Sequence, residues 1–476
     1  VARLTDQEVE AIARRIVADL EERREPVPPA QPPTARAGIH GSVDEAVQAA
    51  RAAQPVFAAL PLATRARVLA TMRTAMLENA EALGYSAREE TGMGRAEDKT
   101  VKNRLVTEKT PGLEDLAPVA VTGDHGLTLV EPAPFGVIGA ITPSTNPTST
   151  IICNAVGMLA AGNAVVFNVH PAARRCSAET VALLNRAITD AGGPPDVVTC
   201  VGPSSIETAQ ELMRHPGVRL LVVTGGGAVV KAAMASGKRA ICAGPGNPPV
   251  VVDATADLAQ AARDIVLGAS CDNNVICTDE KEVIAVASVA DTLIKAMLEA
   301  GAVLVPPHRL ADLEKVVFTE TRGPRTPAVV NRELIGQNAS TILARLGIAV
   351  PEDVRLAVVA VGVDHPLLWT EQMMPVMPVC RVGTAEEAIE LAVAMEGGHR
   401  HTAVMHSRHL DYLSHMAKAC DCSIFVKNAR SQAGLGLDAE GYCSFTIASP
   451  TGEGLTGPRT FSRARRCVLK DRFRIT

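Results

Sequence analysis

NAVVFNVHPAARRCSAETVALLNRAITDAGGPPDVVTCVG, residues 163–202, is the stretch that decides the fold. Its first part, NAVVFNV (163–169), is a short β-branched run of the kind that forms a buried strand. SAETVALLNRAITDAG (177–192) carries apolar residues at helical spacing, and DVVTCVG (196–202) reads as a second strand. Strand, helix and strand at this spacing fold as a right-handed crossover unit with parallel strands. Downstream the alternation continues with a helix over 205–214, the strand VRLLVVTGG (218–226) and a helix from Ala228. It resumes after Pro248 with PPVVVD and a helix around 257–268, and runs to about residue 430. Upstream, 43–59 and 62–83 have helical patterning that ends at Gly84, and LTLVEPAPFGVIGAIT (127–142) holds two strand-like runs. The tail from 442 reads as extended segments. The expected class is α/β with parallel sheets.

Composition narrows the function. The chain has 476 residues, 47% hydrophobic and 21% charged, with a formal net charge of −5. That length implies two or three domains. Weak acidity, with one Trp, three Tyr and eight Phe, argues against a nucleic-acid binder, which needs a basic face or stacking platforms. The eleven cysteines are odd in number and scattered through apolar segments, so a reducing compartment is expected rather than a disulfide framework. No apolar run long enough for a membrane helix is present, and no secretory signal is visible in a chain that starts at Val1.

Residues 5–20, TDQEVEAIARRIVADL, read as an amphipathic helix with a capping box from Thr5 and Glu8. EPVPPAQPPTARAG (25–38) then forms a stiff linker, with five prolines among 26–33. Such an appendage is either an arm that packs on the same protein or its oligomer, or a docking peptide for another protein.

Candidate chemistry lies in three places. Gly225, Gly226 and Gly227 follow a buried strand and precede a helix, where backbone N–H groups can face a phosphate. TGGGAVV does not match G-x-G-x-x-G, so the same residues also read as a plain tight turn. His399, His401, His406 and His409 cluster in GGHRHTAVMHSRHL, where composition alone favours a solvated loop. Cys420 and Cys422 have no partner motif, and no metal site is expected. In GASCDNNVICTDEKEVIAV (268–286), Cys271 ends a helix-like stretch. Cys277 follows an apolar pair and precedes a polar TDEKE turn. A reactive thiolate needs partial exposure and nearby donors, and that setting favours Cys277.

Taken together, EPAPFGVIGAITPSTNPTST (131–150), VTGGG (223–227), GASCDNNVICTDEKEV (268–283), EQMMPVMPV (371–379), GGHRHTAVMHS (397–407) and the segment 427–475 resemble the CoA-acylating branch of the aldehyde dehydrogenase superfamily. The resemblance covers about residues 40–476 and is similar to the acetaldehyde and propionaldehyde dehydrogenases of ethanolamine and propanediol utilisation. It implies a Rossmann-like cofactor domain (39–114 and 134–243), an α/β catalytic domain (244–430) and a β-rich oligomerisation arm (115–133 and 440–476). It implies NAD as cofactor, coenzyme A as co-substrate, a short aliphatic aldehyde as substrate, and a homodimer or homotetramer. No nucleic-acid or membrane partner is expected.

By the same resemblance Cys277 is the nucleophile and Cys271 a packing residue. Asn146 is the oxyanion donor, beside the backbone N–H of Cys277, although Thr145 stands where the hydrolytic branch has its asparagine. His401 is the residue near the incoming thiol, acting on it directly or holding its loop. Glu371 binds the nicotinamide ribose, and Thr224, Gly225 and Gly226 form the cofactor turn. Pro143, His170 and Pro171 line the cofactor groove. Arg174 and Arg175, after HPA, are candidates either for the adenosine phosphates of coenzyme A or for plain surface solvation, with solvation expected for at least one. Cys242 occupies the place of the water-activating glutamate of the hydrolytic branch, and a cysteine is a poor base for water at neutral pH. Residues 1–24 with the linker 25–38 resemble the encapsulation peptides of relatives housed in bacterial microcompartments, so shell proteins are an expected partner and the bacterial cytoplasm the expected location.

Overall fold

A computed structural model describes residues 37–475, so the N-terminal helix and nearly all of the linker lie outside the described residues. From Gly38 onward the chain forms one compact unit. Its frame is two parallel sheets. The first has six strands in the spatial order Ile39–His40, Val198–Val201, Ala164–Asn168, Val137–Ile141, Leu220–Thr224 and Ala240–Ala243. The second has seven: Val303–Leu304, Ala357–Ala360, Val376–Val382, Glu282–Val286, Pro249–Val252, Thr402–His406 and Ile424–Lys427. The central strands are buried along their whole length, which is why they read as continuous apolar runs and not as alternating ones.

In the first sheet the strand order reverses between Val137–Ile141 and Leu220–Thr224, which are neighbours in space but not in sequence. Crevices at the carboxyl ends of strands at such a reversal are where α/β sheets bind ligands. Pro143 and Thr224 both sit there. The chain then leaves Ala240–Ala243 and enters Pro249–Val252 of the second sheet after only Gly244–Pro248. The carboxyl edge of one sheet therefore meets the amino edge of the other.

The crossover unit of residues 163–202 forms as expected, with strands Ala164–Asn168 and Val198–Val201 around helix Arg174–Asp190. Helix Ile206–Arg214 starts on a capping box made by Ser205 and Thr208. Gly84 does not end a helix. It lies inside Ala80–Thr91, where a Cβ would sit 2.6 Å from Thr100 Oγ1 and 2.9 Å from the carbonyl of Ala96. This glycine serves a close helix approach, and the stop falls instead at Gly92 with φ 70°.

Two helices escape the periodic reading. Pro147–Ala160 is buried on every side, so it has no polar face to set a period. Ala96–Lys109 is highly charged, yet it buries Lys99 and Lys102. The tail supplies the extended segments expected of it. Ser462–Lys470 pairs antiparallel along Gly126–Pro134, which also pairs with Val119–Gly123. Among the described residues no helix is long and apolar enough to cross a membrane.

Candidate active site

The loop before Glu282–Val286 is held in a conformation that side chains resist. Asp272, Asn273 and Asn274 have φ of 45°, 56° and 67° in succession, a left-handed run that persists only when its surroundings over-determine it. They do so here. Asp272 accepts from Lys99 Nζ at 2.9 Å, from Lys102 Nζ, and from the Arg95 N–H at 2.7 Å. Asn273 Oδ1 accepts from Arg95 Nε at 3.0 Å, while its amide donates to Gly336 O and Asn338 Oδ1. Asn274 donates to the carbonyls of Ala269 and Glu280.

The expected polar turn after Cys277 is not a solvated turn: Thr278 to Glu282 are fully buried. The physical reason is that these side chains peg the loop from within. Lys281 Nζ spends its three donors on Asn274 O, Asn274 Oδ1 and Ile276 O at 2.8–3.0 Å. Asp279 accepts from the Ile276 N–H at 3.1 Å and from Gln432 Nε2 at 2.6 Å. Glu280 is bonded twice by Ser431. The nucleophile candidate thus stands on a rigid base, as a positioned side chain requires.

Cys277, Glu371, Gly246 and His401 come together. Each precedes a strand, and those strands (Glu282–Val286, Val376–Val382, Pro249–Val252 and Thr402–His406) are neighbours in the second sheet. Gly246 is the middle of the group. Its N–H donates to Glu371 Oε1 at 3.3 Å, and a Cβ on it would lie 2.8 Å from Cys277 O and 2.9 Å from His401 Cγ.

Cys277 is half-buried, and burial pushes its thiol up to about 12, with the Glu371 charge adding to the effect. Burial likewise raises the Glu371 carboxyl to about 7, against the pull of Lys281 and the Gly246 N–H. His401 is no part of a solvated loop. It is completely buried, and burial, then His399 and Lys281, lower it to about 3. Its Nδ1 is 2.9 Å from Thr402 Oγ1, and its buried Nε2 has no partner among the described residues. The ring is a neutral imidazole with one nitrogen left for a ligand. His406 is also buried, on strand Thr402–His406.

Cys271 packs against the main core, and burial drives its thiol well above the ordinary range. Cys242 is fully buried on its strand, donates its N–H to Thr451 Oγ1 (3.0 Å), and its thiol is pushed up to about 11 by burial and then by Glu453. Neither thiol offers a base at neutral pH.

At the carboxyl edge of the first sheet, the Thr224 hydroxyl lies 2.9 Å from that of Thr446, which reaches Asn154. Gly225 continues the strand pairing through its N–H to Ala243 O at 3.1 Å. Gly226 caps helix Gly227–Met234 without a side-chain bond, and a Cβ on either Gly226 or Gly227 would meet nothing within 4 Å. The turn before this helix N-terminus is therefore open on its Cβ side, room that suits a pyrophosphate. Pro143 and His170 follow adjacent strands of the same sheet. His170 is exposed, accepts from the Ala172 N–H, and is followed by exposed Pro171. Arg174 is taken up by Ser204 O (Nε at 2.9 Å) and Arg175 by Glu89 at 2.7 Å, so both are engaged within the protein.

Asn146 caps the buried helix Pro147–Ala160. Its Oδ1 accepts from Lys102 Nζ at 2.6 Å and its Nδ2 donates to Thr145 Oγ1 at 3.1 Å. Thr145 and Asn146 therefore act as a pair, with the threonine as acceptor and the asparagine keeping its second N–H. Lys99, Lys102, Asp272, Lys281 and Gly246 hold this loop and its neighbours, and motif reading passed over them. One signal was available: charged residues flanked by apolar strand or helix residues, as in VICTDEKEVIAV.

A two-sheet fold that gathers a half-buried cysteine, a carboxyl and an imidazole at the seam is that of an aldehyde dehydrogenase. The chain belongs to this family: the aldehyde dehydrogenase family model matches residues 23–315. Acetaldehyde dehydrogenase (acetylating) EutE of Salmonella typhimurium is 47% identical over 99% of this chain and 100% of its own length. Propionaldehyde dehydrogenase of Rhodopseudomonas palustris, solved with bound CoA and an acylated cysteine, superposes with a TM-score of 0.88 at 48% identity, covering 91% of this chain and 98% of that one. Propionaldehyde dehydrogenase from the fucose utilisation microcompartment of Clostridium phytofermentans gives a TM-score of 0.89 at 44% identity, covering 92% and 100%.

Proposed function

We propose that the chain oxidises a short aliphatic aldehyde, propanal or acetaldehyde, to its acyl-CoA, with a thioester on Cys277 as the intermediate. The observation that carries this reading is the convergence of Cys277, Glu371 and His401 around Gly246. The open Gly226–Gly227 turn and the Glu371 carboxyl fit a nicotinamide dinucleotide, which supplies the hydride acceptor.

Cys277 Sγ adds to the aldehyde carbon, and the oxyanion takes the free N–H of Asn146 with the backbone N–H of Cys277. The hydride would pass to a nicotinamide held at Glu371 and the Gly226–Gly227 turn, leaving the acyl group on sulfur. Buried Cys242 stands where a water-activating carboxylate would act, so the thioester waits for a better nucleophile than water. The thiol of coenzyme A is that nucleophile, and it returns Cys277 to its starting form. His401 Nε2, left without a partner among the described residues, is free to hydrogen-bond this thiol and orient it. A ring held near 3 is too weak a base to carry off the proton by itself. Incubating the protein with propanal and NAD, with and without coenzyme A, tests the reading. NADH formation that requires coenzyme A supports it, and formation independent of coenzyme A favours a hydrolytic dehydrogenase.

The first sheet supports assigning 39–114 and 134–243 to the cofactor, and the second supports 244–430 as catalytic. For 115–133 and 440–476 as an oligomerisation arm, the support is an antiparallel sheet that leaves Val119, Val121 and Val468 exposed. A homodimer or homotetramer closing over those valines would be checked by light scattering of Val121→Lys. Residues 1–24 are proposed as an address for shell proteins of a microcompartment, the setting named for the C. phytofermentans relative. Deleting 1–25 should leave activity intact and abolish co-purification with shells.

A further inference from the structure

Burying one lysine is costly, and helix Ala96–Lys109 buries two, three residues apart on one face. Lys99 is 2% exposed and Lys102 4%, and both ammonium groups meet one oxygen, Asp272 Oδ2. Two cations on one carboxylate leave a surplus positive charge inside the protein. Neighbouring charges do not cancel it: Asp98 is already paired with Arg355 and accepts the Asp272 N–H, and Arg95 adds a further cation. Both lysines also reach the Thr145–Asn146 turn. Lys99 donates to Thr145 O at 3.2 Å and Lys102 to Asn146 Oδ1 at 2.6 Å.

An ammonium can only donate, so the atom of the Asn146 amide that faces Lys102 must be the oxygen. This fixes the flip of the amide and directs Nδ2 the other way. One of its N–H groups goes to Thr145 Oγ1. A charged donor on the amide oxygen also polarises the group and strengthens the remaining N–H.

We propose that Lys102, shared with Lys99 on Asp272, is a positioning residue for the reaction: it locks the Asn146 amide with its N–H toward the reacting oxygen and places positive charge behind it. The inference rests on Asn146 being the oxyanion donor. The same carboxylate anchors the left-handed loop that leads to Cys277, so one buried cluster sets both the oxyanion site and the base of the nucleophile loop.

The test is a double-mutant cycle of Lys102→Met and Asn146→Ala, read as kcat and KM with propanal, NAD and coenzyme A. Lys102→Met keeps a balanced interior, because Lys99 still pairs with Asp272, so its melting temperature should stay near wild type. Its kcat should fall roughly 10- to 100-fold, as when an oxyanion donor is misplaced, with little change in KM for NAD or coenzyme A. On the Asn146→Ala background the same change should cost less than about threefold more. Lys102→Arg, which keeps charge and donor, should recover part of the loss. Lys102→Leu, equally without charge or donor, stands in for the Met variant in the cycle should that one fail to fold. Equal losses in both backgrounds, or wild-type kcat in Lys102→Met, overturn the coupling. Wild-type kcat in Asn146→Ala beside a slow Lys102→Met overturns the oxyanion reading itself.

Discussion

Gly246→Ala is the sharpest probe of the site, since a single methyl would have to enter between its parts. The added Cβ would stand 2.8 Å from Cys277 O, 2.9 Å from His401 Cγ and 3.2 Å from His401 Cβ. It falls short of ordinary van der Waals separation by about 0.6 Å on one side and about 0.5 Å on the other. Neither neighbour is a flexible tip. One is backbone in a loop pegged by Lys281, and the other is a ring fixed by Thr402. Relief has to come from moving the nucleophile loop, the imidazole or the Gly246 N–H that holds Glu371. Overpacking of this kind costs about 1–3 kcal/mol of stability. A displacement on the order of half an ångström to one ångström at reacting groups costs up to about 100-fold in rate. Steady-state assays with propanal and NAD should therefore show kcat reduced by at least about tenfold, together with a lower melting temperature. Gly362→Ala, with open space around its Cβ, is the matched control and should change neither. A Gly246→Ala enzyme with wild-type kcat would refute the packed seam described above.

Cys277→Ala should abolish NADH formation while Cys271→Ala keeps most of it, and equal loss in both would remove the nucleophile assignment. Glu371 has a raised pKa of about 7, so it is a carboxylate above that pH and protonated below it. A ribose hydroxyl needs the carboxylate as acceptor, so KM for NAD should rise by about tenfold one unit below the pKa. Glu371→Gln should abolish that pH dependence. Gly227→Ala puts a methyl where the cofactor turn is open and should raise KM for NAD without lowering the melting temperature.

The parallel-sheet frame was legible because strands such as Ala164–Asn168 are buried on both faces and so spell themselves as apolar runs. The motif around Cys277 singled it out as the proposed nucleophile. What stayed hidden shares one physical cause: polar side chains placed inside the protein to hold backbone. TDEKE looks like a solvated turn, and AEDKTVKNRLVTEK looks like a surface helix, because charge patterning assumes that charge faces water. Lys281, Lys99 and Lys102 break that assumption. Helix Pro147–Ala160 is hidden for the opposite reason, since burial on all sides erases the period. His401 needed three dimensions, because its value lies in an unpartnered Nε2 and a glycine 155 positions away in sequence.

The short passage from Ala243 to Pro249 works as a ruler. Gly244, Pro245, Gly246, Asn247 and Pro248 are all that separate the sheet proposed to hold the dinucleotide from the sheet that carries the nucleophile loop. Two of the five are prolines, and Asn247 is tied to Glu282, Leu368 and Met395. The spacing between the two sheets at this point is thus set by covalent chain, and with it the span from the proposed dinucleotide turn to Cys277. Aldehyde pockets can diversify through surrounding side chains while that span stays constant. An insertion of even one residue here should uncouple oxidation from an otherwise intact fold.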